Sequence, residues 1–465
     1  MLFPLLTVFD FSTVRANFIR PINLKKIQAR SNDFALLVPI FNDTKYLTNV
    51  EFLRLYSDRV VLCTTTNETP EFMNDLQNLS NRFGFRIYRC DVGIGKKNPW
   101  AIYNKTLLAH DAVLKSTIGQ LNEKYVIFID GDTFVDGSLS LLCGAMDENN
   151  FDLASVKVLP SKRNTVMEHL QGVEYDIAMQ ARLIYPWLTS GAGMVAKRSV
   201  MISIMRNHSL FFNGGDVEIG RLADMMGYNI GHIPMPFYTD VPSTFTGWVK
   251  QRFSWMCGMF RHSIINIDHN LRHPFHFIYY TFIIYFLIPF KLFELLTKPH
   301  LIPLIMAVYF LITFIANWKV KSRWMLLFPF YALFQIIIII WFGIYRYLTT
   351  VIKSRNVGKI RMQYNPNSVS ALDYSHLTKS LKNYATISLA VFVICATNVS
   401  FFQRIVFGKD YEVIELAQAI SLNLTKNVEK IGTNIAMDTE GWGDPAVIPQ
   451  VAGASAESNE QTIEE

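Results

Sequence analysis

The sequence predicts an α/β protein: a doubly wound sheet in the first half, then an apolar helical region that enters a membrane. Three observations carry this. Apolar runs alternate with helical stretches roughly every 30 residues between Phe34 and Asp132, the rhythm of a parallel sheet. Several of these runs end in polar side chains, as strands do at the ligand-binding edge of an open sheet. The apolar excess (50% hydrophobic, 14% aromatic, mean hydropathy +0.19) gathers after residue 273.

The chain is organised around Tyr-Val-Ile-Phe-Ile-Asp-Gly-Asp at Tyr125 to Asp132. An apolar, β-branched and aromatic run suits a strand buried on both faces. It delivers Asp130 and Asp132 to the strand's carboxyl end, where two carboxylates flanking a glycine hold a hard divalent cation. An Asp-Gly turn is the alternative reading. Phe34 to Phe41 is a second such strand, ending at Asn42-Asp43, and a helix follows around Leu47 to Tyr56. Arg59 to Thr66 is the next, ending in the hydroxyls of Thr64, Thr65 and Thr66. A helix over Glu71 to Phe83 closes at Gly84, and Phe85 to Cys90 makes a strand that stops at Asp91. Gly93-Ile-Gly-Lys96-Lys97 could bring backbone amides and cations to a phosphate, or be a solvated turn. It lacks the spacing and hydroxyl of a Walker loop. A helix from about Trp100 to Leu114 precedes the Tyr125 strand.

In the middle of the chain, apolar residues at spacings of three and four predict an amphipathic helix over Thr165 to Leu188. Gly191 and Gly193 in Ser190-Gly-Ala-Gly-Met194 would let the backbone pass close to a ligand. Gly214-Gly215-Asp216-Val-Glu218 opens a helix to Met226. Asp216 is there either an N-cap or a general base. Gln251, Arg252 and Trp255 lie on one helix, with Trp248 and Met259 on the Trp255 face.

The net charge of +6 comes without a long basic run, so no nucleic-acid partner is expected. Basic residues flanking apolar spans read as membrane anchors. The five cysteines form no C-x-x-C and pair with no histidine, so neither a zinc site nor a disulfide framework is expected from them.

Taken in order, these motifs resemble membrane-embedded family 2 glycosyltransferases, the group of hyaluronan, chitin and cellulose synthases. The resemblance covers residues 34–262 and the apolar segments beyond. Val38-Pro39-Ile-Phe-Asn42-Asp43 looks like the family's opening strand, and Asp130-Gly-Asp132 like its nucleotide-sugar and metal motif. Gly215-Asp216 with Glu218 looks like the segment of the catalytic base, and Gln251 to Trp255 like the Q-x-x-R-W motif.

The resemblance implies a GT-A type, nucleotide-sugar-binding mixed sheet and an inverting hexosyl transfer from a UDP-sugar. Pro39, Asn42, Thr64, Thr65, Asp91, Lys96, Asp130 and Asp132 would hold the donor, and Asp132 a Mg or Mn ion. Asp216 would be the base. Gly193, Gly215, Glu218, Gln251, Arg252 and Trp255 would hold the acceptor. Two positions depart from the family pattern. Thr64 to Thr66 stand where acidic residues contact the base, and Asp91 is the substitute. Ser254 stands at the Q-x-x-R-W arginine, and Arg252 is expected to take over its diphosphate contact.

Four apolar segments are candidate spans: Phe275 to Leu296, Leu301 to Trp318, Trp324 to Tyr347 and Tyr384 to Phe402. The basic Lys319 to Arg323 link should be cytosolic, and the catalytic domain with it. The stretch 348–383 is also rich in Lys and Arg, which favours a re-entrant or in-plane third segment. The expected division is an interfacial segment 1–30, a cytosolic transferase domain 31–265, membrane and interfacial helices 266–405, and a partly disordered tail 406–465. The function expected is a multi-pass cell-membrane enzyme extending a β-linked polysaccharide, with lipid, UDP-sugar and glycan as partners. Transfer of one sugar to a glycolipid acceptor is the alternative, and a non-catalytic transporter or scaffold is a third.

Overall fold

The computed structural model describes residues 11–90, 101–208, 214–278 and 299–354, with 210, 283, 284 and 296. These residues belong to one unit, Met1–Val391; the second unit, Phe392–Glu465, lies outside them, as do Asp91, the Gly93 to Lys97 loop, most of the first candidate span and all of the fourth.

Among the described residues, eight strands make one mixed sheet in the order β3-β2-β1-β4-β7-β6-β8-β5. They are β1 Phe34–Pro39, β2 Val60–Thr65, β3 Arg86–Cys90, β4 Tyr125–Phe128, β5 Phe134–Val135, β6 Leu153–Pro160, β7 Met194–Lys197 and β8 Ile230–Thr239. The first four pair in parallel, as the alternating pattern predicts. Beyond β4 the sheet turns mixed: β7 runs antiparallel to β4 and β6, and β5 antiparallel to β8. The first half thus winds as a parallel unit and the second extends it into a mixed α/β sheet.

Both faces of β1, β2 and β4 are buried, which is why their sequences read as unbroken apolar runs. Leu36, Val38, Leu62 and Ile127 enter one core, and Ala35, Leu37, Val61 and Val126 the other. Each large side chain so buried stabilises by about 1.5–3 kcal/mol relative to exposure.

The helices begin where polar side chains stop their ends. Thr69 caps Pro70–Phe83, and Gly84 closes it at φ 77°. The helix expected over Thr165 to Leu188 runs Val166–Arg182, started by a Thr165/Glu168 capping box. The helix expected around Leu47 to Tyr56 shrinks to Val50–Leu53. Its neighbours crowd Gly131: a Cβ there would lie 2.9 Å from the Tyr46 carbonyl oxygen. Close approach of the 46–49 backbone is thus what requires glycine in Asp-Gly-Asp.

In the apolar half, helix Ile302–Ala316 has 15 residues, fewer than the ~20 that cross a bilayer core. Phe328–Thr349, at 22 residues, is the one helix among the described residues long and apolar enough to span. A π turn at Gln335–Ile339 interrupts it. Leu304, Leu311, Ile315, Trp318, Phe330 and Phe342 are exposed on these segments, an apolar surface that soluble proteins rarely leave uncovered.

Candidate active site

A cavity of about 540 Å³ opens beside the carboxyl end of β1. Its walls come from Pro39 and Phe41, from His110 and Asp111, from Glu174 to Arg182 of helix Val166–Arg182, from Ser190-Gly191, from Gly214 to Val217, and from helix Phe245–Ile265 through Trp255. This is the switch-point position at which open α/β sheets bind ligands.

Asp216 stands in the first turn of helix Gly215–Met225. It is not the N-cap: Gly214 is, in the left-handed region at φ 87°. The Asp216 carboxylate instead reaches across the cavity, where the Gly191 N–H donates to Oδ2 at 2.8 Å. The Thr189 hydroxyl bonds the Asp216 carbonyl. Burial raises the Asp216 pKa, against the pull of the Gly191 and Val217 amides, and Asp111 adds to the rise. A carboxylate made more basic in this way is suited to accept a proton. The two glycines before it are steric necessities. A Cβ on Gly215 would lie 2.1 Å from Asp111 Oδ2, and one on Gly214 2.7 Å from His262 Nε2.

Asp130 approaches the same spot from the sheet. Its Oδ1 and the Oδ2 of Asp216 are each 3.9 Å from where a Gly191 Cβ would stand. Burial, then the charges of Asp132 and Asp216, push the Asp130 pKa up to about 6, with His110 pulling the other way. The His110 pKa rises despite burial, because Nδ1 bonds Asp111 Oδ1 at 3.0 Å and three carboxylates surround it. Asp132 is held by hydroxyls: Oδ1 accepts from Thr239 at 3.0 Å and from Thr133 at 3.3 Å. A turn closed by Thr133 N–H on the Asp130 carbonyl holds both carboxylates at the strand end, so the turn and the acidic motif coincide.

Residues 125–399 match the sequence profile of glycosyl transferase family group 2. The chain belongs to that family. Among curated proteins, none matches it. Its structure has loose likenesses among solved ones. The mannosyltransferase PcManGT from Pyrobaculum calidifontis, in complex with GDP-Man and Mn2+, is 12% identical, with 84% of this chain and 94% of that one covered at a TM-score of 0.37. S. aureus TarS 1-349 is 13% identical over 70% of this chain and 91% of that one, at 0.31. Glucosyl-3-phosphoglycerate synthase from Mycobacterium tuberculosis, with Mn2+, UDP and phosphoglyceric acid, is 14% identical over 48% and 78%, at 0.29.

In this family 2 glycosyltransferase the sequence motifs separate into two groups. Pro39, Gly215, Asp216 and Trp255 line the cavity. Trp255 is 41% exposed, with the Arg252 guanidinium 4.0 Å from its ring centre. Gly193, Glu218, Gln251 and Arg252 lie outside the cavity wall. Gly193 serves packing, since a Cβ would lie 2.6 Å from the Phe237 ring; Gly191 is the glycine that faces the cavity. Glu218 is buried and paired with Arg261 at 2.7 Å. Arg252, fully buried, bonds Gln251 at 2.7 Å and pairs with Glu174, whose carboxylate also accepts from Tyr331 and, at 3.2 Å, Gln335. That links helix Phe245–Ile265 to helix Phe328–Thr349 through Glu174, and it commits the Arg252 guanidinium to that carboxylate.

At the strand ends, Thr64 is buried with its hydroxyl unpartnered, and Thr65 donates to Glu68 at 2.8 Å. Glu68 also accepts from the Asn42 N–H at 3.0 Å, where Asn42 sits at φ 67°. An acidic residue thus does follow the second strand, just beyond the three threonines. Asp91 and Lys96 lie outside the described residues. Sequence reasoning missed His110, Asp111, Glu174, Tyr175 and Arg182, all cavity residues. No motif or periodicity marked them: Glu174 flanks the apolar stripe of its helix, Tyr175 and Arg182 sit beside Ala178 and Met179, and Asp111 is buried on a helix of mixed faces.

Proposed function

We propose that this transferase moves a hexose from a UDP-sugar, with inversion, onto a growing β-linked polysaccharide at the cytosolic face of a cell membrane that the chain crosses several times. The observation that carries the reading is one cavity at the carboxyl edge of the sheet lined by Asp216 and Trp255, with Asp130 just behind its Gly191 wall. Asp216 receives the proton of the attacking hydroxyl, and Trp255 stacks on a sugar face at the mouth. Asp130 and Asp132 fit a divalent cation, Mg or Mn: they are oxygen donors, and burial, then the like charges of Asp132 and Asp216, raise the Asp130 pKa, a like-charge crowding that a cation would relieve. Such an ion supplies neutralisation of the departing diphosphate. Asn42 and Glu68, just beyond the adjoining strand ends, are available to the nucleoside, whereas Thr64 and Thr65 are buried within β2. The exposed apolar side chains of the 302–349 segment support the membrane reading.

A glycolipid acceptor is the second reading. Helix Phe245–Ile265 lines the cavity with Trp255 and Met259, and its Phe253 stacks on Phe342 of the spanning helix. A lipid-borne hydroxyl arriving along that apolar surface would meet the same cavity. The test is turnover by the purified chain with labelled UDP- and GDP-sugars, each with Mg and with Mn. A ladder or polymer supports the first reading and a single glycolipid the second. Absence of both transfer and donor hydrolysis overturns the enzymatic proposal. Protease protection of the 348–383 loop tests the topology.

A further inference from the structure

At the other end of the Asp216 helix is a second group of ionisable side chains. Asp224 lies eight residues after Asp216, about 12 Å along the helix. Among the described residues, Asp224, His269 and His273 are the group whose ligand atoms all fall within 4.8 Å of one another. His273 Nε2 is 2.8 Å from Asp224 Oδ2, and His269 Nε2 is 3.1 Å from the same oxygen. His269 is fully buried, yet its Nδ1 has no hydrogen-bond partner and its Nε2 meets the carboxylate without hydrogen-bond geometry. An imidazole so enclosed and so poorly satisfied calls for another partner.

The helix end and the paired imidazoles suit a cation, against the positive charge of Arg221 nearby. Asp224 is in the last turn of its helix, at the end where backbone carbonyls concentrate negative charge. His269 and His273 stand four apart, on helix Ile267–Arg272 and its C-cap, so their rings share one side. The Trp187 ring covers His269 edge-on at 4.4 Å. The nearby Arg221 guanidinium is engaged by the His262 carbonyl and by Asn270. Asp224 and His273 retain 29% and 26% side-chain exposure, which gives an ion a path in.

We propose that Asp224, His269 and His273 bind a zinc ion through two imidazole nitrogens and one carboxylate oxygen, with solvent as the fourth ligand. Bonds of ~2.0–2.1 Å in a tetrahedron place donor atoms about 3.3 Å apart, a small widening of the 3.1 Å and 2.8 Å separations observed, the second of which is a hydrogen bond without the ion. Two nitrogens among three donors suit zinc, whereas Asp130 and Asp132 offer the all-oxygen set of Mg or Mn. The cysteines, whose spacing pointed away from zinc, take no part. The ion ties the helix that carries Asp216 to the 266–277 segment leading into the apolar helices, so it positions the catalytic helix.

The experiment is metal analysis of the full chain in detergent after dialysis against metal-free buffer. One zinc per chain is expected in the wild type and in Asp132→Asn, with loss of that equivalent in His273→Ala and in Asp224→Asn. Chelated wild type should recover a higher unfolding midpoint on adding Zn2+ alone. With Co2+ it should show the visible bands of a tetrahedral site, absent in His273→Ala. If His273→Ala does not fold, the Co2+ spectrum and the Zn2+ midpoint shift of chelated wild type decide by themselves. Full zinc retention by folded His273→Ala, or a chelated wild type that responds to neither ion, overturns the proposal and leaves an Asp–His hydrogen-bond pair.

Discussion

Asp130 and Asp216, far apart in sequence, present one carboxylate oxygen each at 3.9 Å from the point where a Gly191 side chain would begin. The sheet supplies one and a helix start the other. Asp216→Asn keeps the shape and removes the proton acceptor. Turnover is expected to fall by about 10²–10⁴ with donor affinity nearly unchanged, measured by transfer rate and by donor binding in the same preparation. Equal loss of donor binding would assign Asp216 to the donor instead.

The contact between Gly215 and Asp111 makes a second prediction. Gly215→Ala would drive its Cβ to 2.1 Å from Asp111 Oδ2, a side chain itself only 5% exposed. The helix start or Asp111 must shift, at roughly 1–3 kcal/mol, and Asp216 moves with it. A lowered unfolding midpoint together with loss of turnover is expected; a fully active, equally stable variant would contradict the geometry.

Arg252 is held by Glu174 inside the protein and stacks on Trp255. Removing it leaves Glu174 without its cation, a loss of about 3–5 kcal/mol for a buried pair. Arg252→Ala should therefore destabilise the chain and raise the acceptor KM through Trp255, while donor affinity changes little. Trp255→Ala should raise the acceptor KM with the fold intact. A donor-binding defect in Arg252→Ala as its main effect would restore the diphosphate role.

His232 sets part of the acid sensitivity. Burial, then Arg182 and Lys157, lower its pKa from 6.5 to about 3, and Ser155 Oγ holds Nδ1 at 2.9 Å. Below pH 6.5 the unfolded chain takes up a proton that the folded chain refuses until about pH 3. Stability from this residue is complete above 6.5 and declines as pH falls through that window. His232→Asn should flatten the fall, as read from unfolding midpoints between pH 4 and 7; an unchanged slope would show that His232 is already charged when folded.

The sequence by itself determined the strands and the acidic ends they carry. β1, β2 and β4 are buried on both faces, so local composition and strand identity say the same thing. It likewise placed Asp216 after two glycines and Trp255 on its helix, because tight turns and helix faces are local matters. Tertiary structure alone decided which carboxylate meets Asp216, since Asp130 and Asp132 differ only in which side of a turn they leave, and Thr239 captures one of them. It also decided that Glu174, Tyr175 and Arg182 face a cavity while Arg252 faces Glu174. Periodicity tells which side of a helix is polar. What that side meets depends on the packing of segments distant in the chain, and that is a property of the folded whole.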